Sequence, residues 1–430
     1  MRETKLFSVF MEPGSLAYLI IDALGFAQCL LFMVFLAGLH RQGNPANRFL
    51  IAFLAIYAVN YLTGFFESLD FDYEAPFLFL LDDSFDLLLG PLVYFYVDEM
   101  INGPWPRNGW PRWRHLVLPF VAANLLFLPA YLMPDDAAIA LFIDNNDLEP
   151  DDLEKLGVSV GHTLAAIIGA LFAILLFLAQ VTIYLIVATR LLRRHNRHIQ
   201  QIYSNVDKKN LNWLRILLTL LTISWLTYAP SAFAELLFDI PDWIWIAVAV
   251  LELTIIYGLG VSAMRQPTVF TRQEDLTLVK TLGDAAEEAP GGDTAKYARS
   301  ALEQTDRERI LAKLTAAMRD DRLYLDANLT LANLSRHTSV SANYISQVIN
   351  QELDCNFFDF VNRYRIEAVK QKLMEREDTS VLEIALDAGF NSKSTFNAAF
   401  KRFAGMTPTQ FRSVQRTNGE SESILERPSL

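Results

Sequence analysis

The chain changes character near residue 265. Before it, apolar residues run in long, nearly unbroken stretches; after it, they recur singly at helical spacing among polar neighbours. Seven stretches, near 16–39, 47–66, 76–97, 115–133, 160–189, 213–238 and 243–264, reach the about 20 residues that a helix needs to cross a bilayer. Their length and lack of internal turn signals predict helices rather than strands. Beyond residue 305 the period is different: Ile310, Leu311, Leu314 and Met318 mark one face of an amphipathic helix.

The charges between the stretches alternate in sign. Loop 40–48 holds Arg41 and Arg48, loop 98–114 holds Arg107, Arg112 and Arg114, and loop 190–212 holds Arg190, Arg193, Arg194, Arg197, Lys208 and Lys209. The intervening loops 67–75, 134–159 and 239–242 are acidic, with Lys155 their one basic residue. The positive-inside rule then places the N-terminus outside and residue 265 inside. The first stretch reads as a retained helix rather than a cleaved signal peptide, because its basic residues follow the apolar run. Cys29 and Cys355, the two cysteines, fall in different halves, so no bridge is expected and the polar half reads as cytosolic.

Some acids fall inside the stretches, where charge is expensive and marks a functional site by default. Asp82, Asp83, Asp86 and Glu252 are therefore the candidates for ligand or proton sensing, Asp82 and Asp86 being four apart and on one helix face. Asp22 and Glu235 read instead as wetted helix ends, and His195 and His198 as solvated residues of the basic loop.

The polar half divides into an acidic linker over 266–304, a helical region over 305–416 and a tail over 417–430. Thr305 and Glu308 predict a capping box at the first helix. Two similar units follow. In the first, Leu331, Leu334, Val340, Ile345, Val348 and Ile349 form the apolar set. In the second, Ser380 and Glu383 predict a capping box, Ala385 a close helix crossing, Gly389 a left-handed turn, and Phe396, Phe400 and Phe403 a buried face. Each unit reads as helix, tight turn, helix: the arrangement whose second helix enters a DNA major groove. A helix near 357–375, with Phe360, Tyr364, Ala368 and Leu373 on one face, is a candidate spine between them, and Thr407-Pro408 opens a last short helix. The fold class is thus all-α: a seven-transmembrane-helix bundle over 1–265 followed by a cytoplasmic double helix-turn-helix domain.

Residues 305–416 resemble the DNA-binding domain of the AraC family of bacterial transcription regulators. The likeness is carried by Asn362-Arg363-Tyr364-Arg365-Ile366-Glu367-Ala368, by Ile384-Ala385 through Gly389-Phe390, by Ser392, Ser394, Phe396 and Phe400-Lys401, by Gly405-Met406-Thr407-Pro408 and by Phe411-Arg412. The membrane half resembles, less specifically, the seven-span sensor halves that precede such domains in some bacterial regulators. The resemblance implies two recognition helices, 341–352 and 392–403, in successive major grooves. Ser341, Asn343, Ser346, Gln347 and Asn350 are then the contact candidates of the first helix, and Asn391, Lys393, Ser394, Asn397 and Lys401 those of the second. Asparagine can read adenine edges, whereas lysine and serine more often hold phosphate. Gln347 and Asn350 stand where the family often has basic residues, so phosphate grip is expected to lean on the second unit.

The net charge of −12 speaks against nucleic acid only as an average: from Ala388 to Arg416 there is no acid, but there are Lys393, Lys401, Arg402, Arg412 and Arg416. No HExxH, GxSxG, phosphate-loop or Cys/His ligand pattern occurs, so no catalytic residue, metal site or cofactor is expected. The expected partners are double-stranded DNA, the lipid bilayer, an external effector for which a cation is one candidate, and a second copy in a homodimer. The expected place is the bacterial cytoplasmic membrane, with the DNA-binding domain inside. The alternative is a membrane transporter or scaffold with a DNA-binding regulatory tail.

Overall fold

A computed structural model describes residues 13–41, 45–69, 81–82, 84–103, 112–142, 157–205, 211–235, 241–264, 304–375 and 379–415. They are helical throughout, with one isolated antiparallel bridge between Tyr203 and Thr330. The chain divides into two units: Met1–Arg193 with Leu211–Val269, and Arg194–Asn210 with Phe270–Leu430. Of the expected linker at 266–304 all but Gln304, which opens a helix, lies outside the described residues, as does the tail at 417–430.

The first unit holds α1 (Pro13–Arg41), α2 (Asn47–Glu67), α3 (Leu89–Asn102), α4 (Arg112–Leu126), α5 (Leu128–Tyr131), α6 (Asp135–Phe142), α7 (Val160–Ile202, of which residues up to Arg193 belong here), α8 (Asn212–Glu235) and α9 (Asp242–Met264). Four of these, α1, α2, α7 and α9, are long and apolar enough to cross a membrane, against the seven spans expected. The reasons differ for the other three. The third stretch contributes the 14 residues of α3, and residues 76–80 and 83 lie outside the described set. The fourth is broken at Phe127, because Pro129 lacks the N–H that would continue α4. The sixth, α8, has the length at 24 residues but carries Arg215 in its first turn and Pro230 within it.

The polarity of this unit is inverted relative to a water-soluble protein. Val34, Leu31, Phe172 and Leu226 are exposed at 74%, 66%, 57% and 65%, while Asn47, Ser84, Asp98, Glu99 and Gln180 are buried. The core, with Phe32, Leu54, Tyr96, Leu185, Leu214 and Ile256, draws on α1, α2, α3, α7, α8 and α9. Close packing uses glycine: a Cβ on Gly25 would meet the Tyr61 ring at 2.6 Å. Arg48 Nη2 reaches the buried Glu99 Oε2 at 2.8 Å, so the start of α2 is pinned to the end of α3 by an ion pair.

The second unit holds α10 (Gln304–Arg319), α11 (Leu331–Thr338), α12 (Ala342–Leu353), α13 (Phe357–Glu375), α14 (Val381–Asp387), α15 (Lys393–Ala404) and α16 (408–415). It has two cores. Ile310, Leu314, Leu331, Leu334, Ile345, Val348 and Ile349 make the first, and Ile384, Ala385, Phe390, Phe396, Ala399 and Phe400 the second. α13 serves both, but not by the single face expected. Phe357, Phe360 and Val361 enter the first core, and Ile366, Val369 and Leu373 the second, so the spine is divided along its length. Thr305 lies inside α10 rather than capping it, and the Gln304 amide reaches Glu308 at 3.4 Å.

One feature of this unit lies outside the expected 305–416 boundary. The last turns of α7 and residues 203–205 belong to it, and Ile199, Ile202 and Tyr203 are part of the first core. The sequence reading placed them in a basic loop of the membrane half. Their burial follows from side chains: Ile199, Ile202 and Tyr203 form an apolar cluster beyond the arginines, and it is 5%, 1% and 4% exposed.

Candidate nucleic-acid interface and cavity

Each helix of the two helix-turn-helix units starts at a side-chain cap. Thr330 Oγ1 accepts the Asn333 N–H at 3.1 Å, Ser341 Oγ that of Tyr344 at 3.4 Å, Ser380 Oγ that of Glu383 at 3.1 Å and Ser392 Oγ that of Thr395 at 3.2 Å. Thr407 and Gln410 complete a capping box before α16: the Thr407 N–H donates to Gln410 Oε1 at 2.9 Å, and the Gln410 N–H to Thr407 Oγ1 at 3.3 Å.

The turns differ. α14 ends with the Phe390 N–H on Ala385 O and the Gly389 N–H on Leu386 O, a Schellman closure that needs the left-handed residue at Gly389, φ +93°. A Cβ there would also lie 2.5 Å from Tyr324 O. The first unit makes its turn with Ser339, a non-glycine residue at φ +54°.

These caps and turns present two polar helix faces. On α15, Lys393, Asn397 and Lys401 follow one another at four-residue spacing, all exposed along one flank of the face that buries Phe396 and Phe400. Ser394 is exposed beside them, its Oγ 3.1 Å from Ser392 Oγ; Asn391 is exposed before the helix and donates to Ala327 O at 3.3 Å. Neither Lys393 nor Lys401 forms an ion pair with another described residue. The other basic residues of this stretch are partly committed. Arg402 makes a two-pronged pair with Asp359, at 2.7 and 2.8 Å, and Arg412 donates to Thr379 O at 2.8 Å. Arg416 lies outside the described residues.

On α12, Asn343, Ser346, Gln347 and Asn350 share one stripe, with Ser341 capping it. Asn343 and Asn350 are exposed, Ser346 and Gln347 half-buried. The stripe is laced along the helix: Asn350 donates to Ser346 Oγ at 3.5 Å and Gln347 to Gln351 at 3.3 Å. It carries no positive charge. Sequence reasoning passed over two exposed residues here, Tyr344 on α12 and Arg336 at the end of α11. Tyr344 could have been found as the aromatic that falls out of step with Ile345, Val348 and Ile349.

Between the two units lies Arg365 of α13, 1% exposed. Burial lowers its pKa to about 10, which leaves it charged at neutral pH. All five of its N–H donors find acceptors. Nε bonds Tyr324 O at 2.8 Å; Nη1 bonds Ser204 O at 2.9 Å and Asn362 Oδ1 at 3.2 Å; Nη2 bonds Asp326 O at 2.8 Å and Ser204 Oγ at 3.1 Å. Ser204 also bonds Leu329 through its N–H at 3.2 Å and its hydroxyl at 2.7 Å, one residue before the Thr330 cap. The segment after α7 is thus tied to the entrance of the first helix-turn-helix. His195, expected to be solvated, is partly buried, and its burial lowers its pKa to about 4.

The membrane-half candidates do not stay together. Asp86 and Glu252 line one cavity of about 640 Å³ in the first unit, along with Asp22 and Glu67. Asp82 is half-buried outside it, and Asp83 lies outside the described residues. Asp22, expected as a wetted helix end, lines this cavity as well; the Glu235 side chain lies outside the described set. Tyr57, Tyr61, Trp225 and Tyr228 supply aromatic walls, and among the described residues no lysine or arginine lines the cavity. Asn60 Nδ2 donates to Asp86 Oδ1 at 2.7 Å. Among the described residues there is no group of three or more His, Cys, Asp or Glu able to hold a metal ion.

Residues 334–413 match a family of sequences described as a helix-turn-helix domain. The chain is similar to the melibiose operon regulatory protein of Escherichia coli (strain K12), 32% identical over 91 residues, which is 21% of this chain and 30% of that one. It is also similar to an uncharacterized HTH-type transcriptional regulator of Staphylococcus aureus (strain COL), 34% identical over 104 residues, 24% of this chain and 14% of that one. A solved protein of unknown function from Listeria innocua is 25% identical, with a TM-score of 0.21, over 25% of this chain and 94% of its own. The chain spans less than a third of the length of these two regulators.

Proposed function

We propose that this chain is a membrane-embedded one-component transcription regulator rather than an enzyme. It reads promoter DNA through α12 and α15 and senses an external or membrane-borne signal through its apolar helices. The observation that carries the reading is the joining, in one chain, of a matched helix-turn-helix domain to helices of bilayer length whose apolar side chains face outward. The alternation of basic and acidic loops supports seven crossings of the bacterial cytoplasmic membrane, with α3, α4–α5 and α8 completing the set and the DNA-binding unit inside.

On α15, Lys393, Ser394 and Lys401 hold phosphate while Asn391 and Asn397 face the bases; on α12, Ser341, Asn343, Ser346, Gln347 and Asn350 face the second groove with less electrostatic help. Pairing into a homodimer would multiply specificity by placing four such helices on one site. The route from signal to DNA runs along α7, one continuous helix whose residues from Arg194 onward belong to the DNA-binding unit. A shift of that helix would act on Ser204, and so on Arg365, which also bonds Tyr324 and Asp326 ahead of the first helix-turn-helix unit.

The test is selection of genomic fragments by the full chain in lipid nanodiscs, at several salt concentrations. Recovery of a defined set of sites, with affinity falling steeply with salt, is expected. Recovery of no enriched set at any salt concentration would overturn the reading.

A further inference from the structure

The cavity of the first unit has no role in reading DNA. Resting on the sensor reading above, we propose that it binds an organic amine cation with an apolar body, its ammonium group against Asp86 and Glu252 and its body along Tyr57, Tyr61 and Trp225. Among the described residues four carboxylates and no basic side chain line the cavity, so its field selects cations. At about 640 Å³ it has the size of a small-molecule site and far exceeds a bare ion, for which the described residues offer no ligand cluster. Tyr61, on the wall, is 7% exposed, and its hydroxyl has no hydrogen-bond partner among the described residues, an unusual cost that a bound polar group would remove. The aromatic walls offer π faces to an ammonium group.

The placement along the helices agrees. Glu67 and Ser68 close the end of α2, whereas Tyr57 and Glu252 stand near the middles of α2 and α9. The cavity therefore runs from a helix end to mid-helix depth, where a carboxylate is most expensive and a bound ammonium most useful.

The test is calorimetric titration of the full chain in zwitterionic nanodiscs, with protein-free nanodiscs as blank. Benzylamine and hexylamine are the probes; benzyl alcohol and hexanol are their uncharged counterparts. Saturable binding of the amines at one site is expected, at least tenfold tighter than the alcohols. Glu252→Gln and Asp86→Asn should each weaken amine binding at least tenfold. Tyr61→Phe, which keeps the packing, should weaken it about threefold or more. Absence of amine binding, alcohols binding as well as amines, or unchanged affinity in all three variants overturns the proposal. Fragment selection on the same preparation separates the two ideas: intact DNA selection without amine binding removes only the ligand class, and amine binding without DNA selection removes the regulator.

Discussion

Lys401 and Asn397 sit four residues apart on one exposed face of α15, yet their substitution should read differently. A lysine on phosphate contributes charge and little sequence information. Lys401→Ala should weaken binding to every DNA alike and reduce the salt slope by about one. A slope equal to that of the unaltered chain would take Lys401 off the backbone. Asn397→Ala should instead cost about 1–3 kcal/mol at one base position and leave the slope unchanged, measured by binding to a set of single-base variants. A second pair concerns the turns. Gly389 at φ +93° has no room for a Cβ, so Gly389→Ala should destabilise the domain by more than about 1 kcal/mol. Ser339 holds the matching turn of the first unit at φ +54°, and Ser339→Gly should stabilise it by a few tenths of a kcal/mol. Thermal melting reads both, and equal signs would show that the two turns are not built alike.

At the scale of elements, what was legible from sequence followed what is local. The second helix-turn-helix could be read closely because Ser380, Gly389, Ser392 and Thr407-Pro408 act within a few residues of themselves, and each stands where its cap or turn required. The spine was read only in part, since the division of α13 between two cores depends on what packs at each end. The acids of the membrane half sorted differently from expectation for the same reason: helical spacing put Asp82 with Asp86, but the neighbouring helices put Asp86 with Glu252, Glu67 and Asp22. The contact between Ser204 and Arg365 joins positions 161 apart and leaves no pattern in either stretch. Ser204→Ala removes one acceptor from Arg365 and one donor to Leu329, a loss of about 1–2 kcal/mol. Faster amide exchange at 199–204 and at the start of α11 is expected, and unchanged exchange would show the segment held by its apolar side chains alone. His195 adds a pH dependence. Its pKa is lowered on folding from the ordinary 6.5 to about 4, so the unfolded form binds more protons between those values. Stability of the docked segment is complete above pH 6.5 and falls as pH drops towards 4. Exchange protection at 194–204 should fall over that window, and His195→Gln should flatten the fall.

For the whole molecule, the DNA-binding unit is not the C-terminal segment alone. A fragment of residues 304–430 would contain α10 to α16 but lack Ile199, Ile202, Tyr203 and Ser204, which complete its first core and supply two of the five acceptors of Arg365. A buried guanidinium with donors unpaired is costly, and the exposed apolar patch adds to the loss. The fragment should therefore melt below the same unit in the full chain, each kcal/mol being worth about 4 °C in a domain of this size. The missing part is short enough to supply separately. A synthetic peptide of residues 190–205 should raise the melting temperature of the fragment saturably, and the same peptide carrying Ile202→Asp and Ser204→Ala should not. If both peptides act alike, or neither acts, the end of α7 is a passive neighbour of the domain. If only the unaltered peptide acts, the domain has a built-in receptor for the helix that links it to the membrane half. DNA affinity measured with and without the peptide would then give the sign of the coupling: tighter binding with the peptide means that docking favours the DNA-reading form, and weaker binding means that a signal must release it.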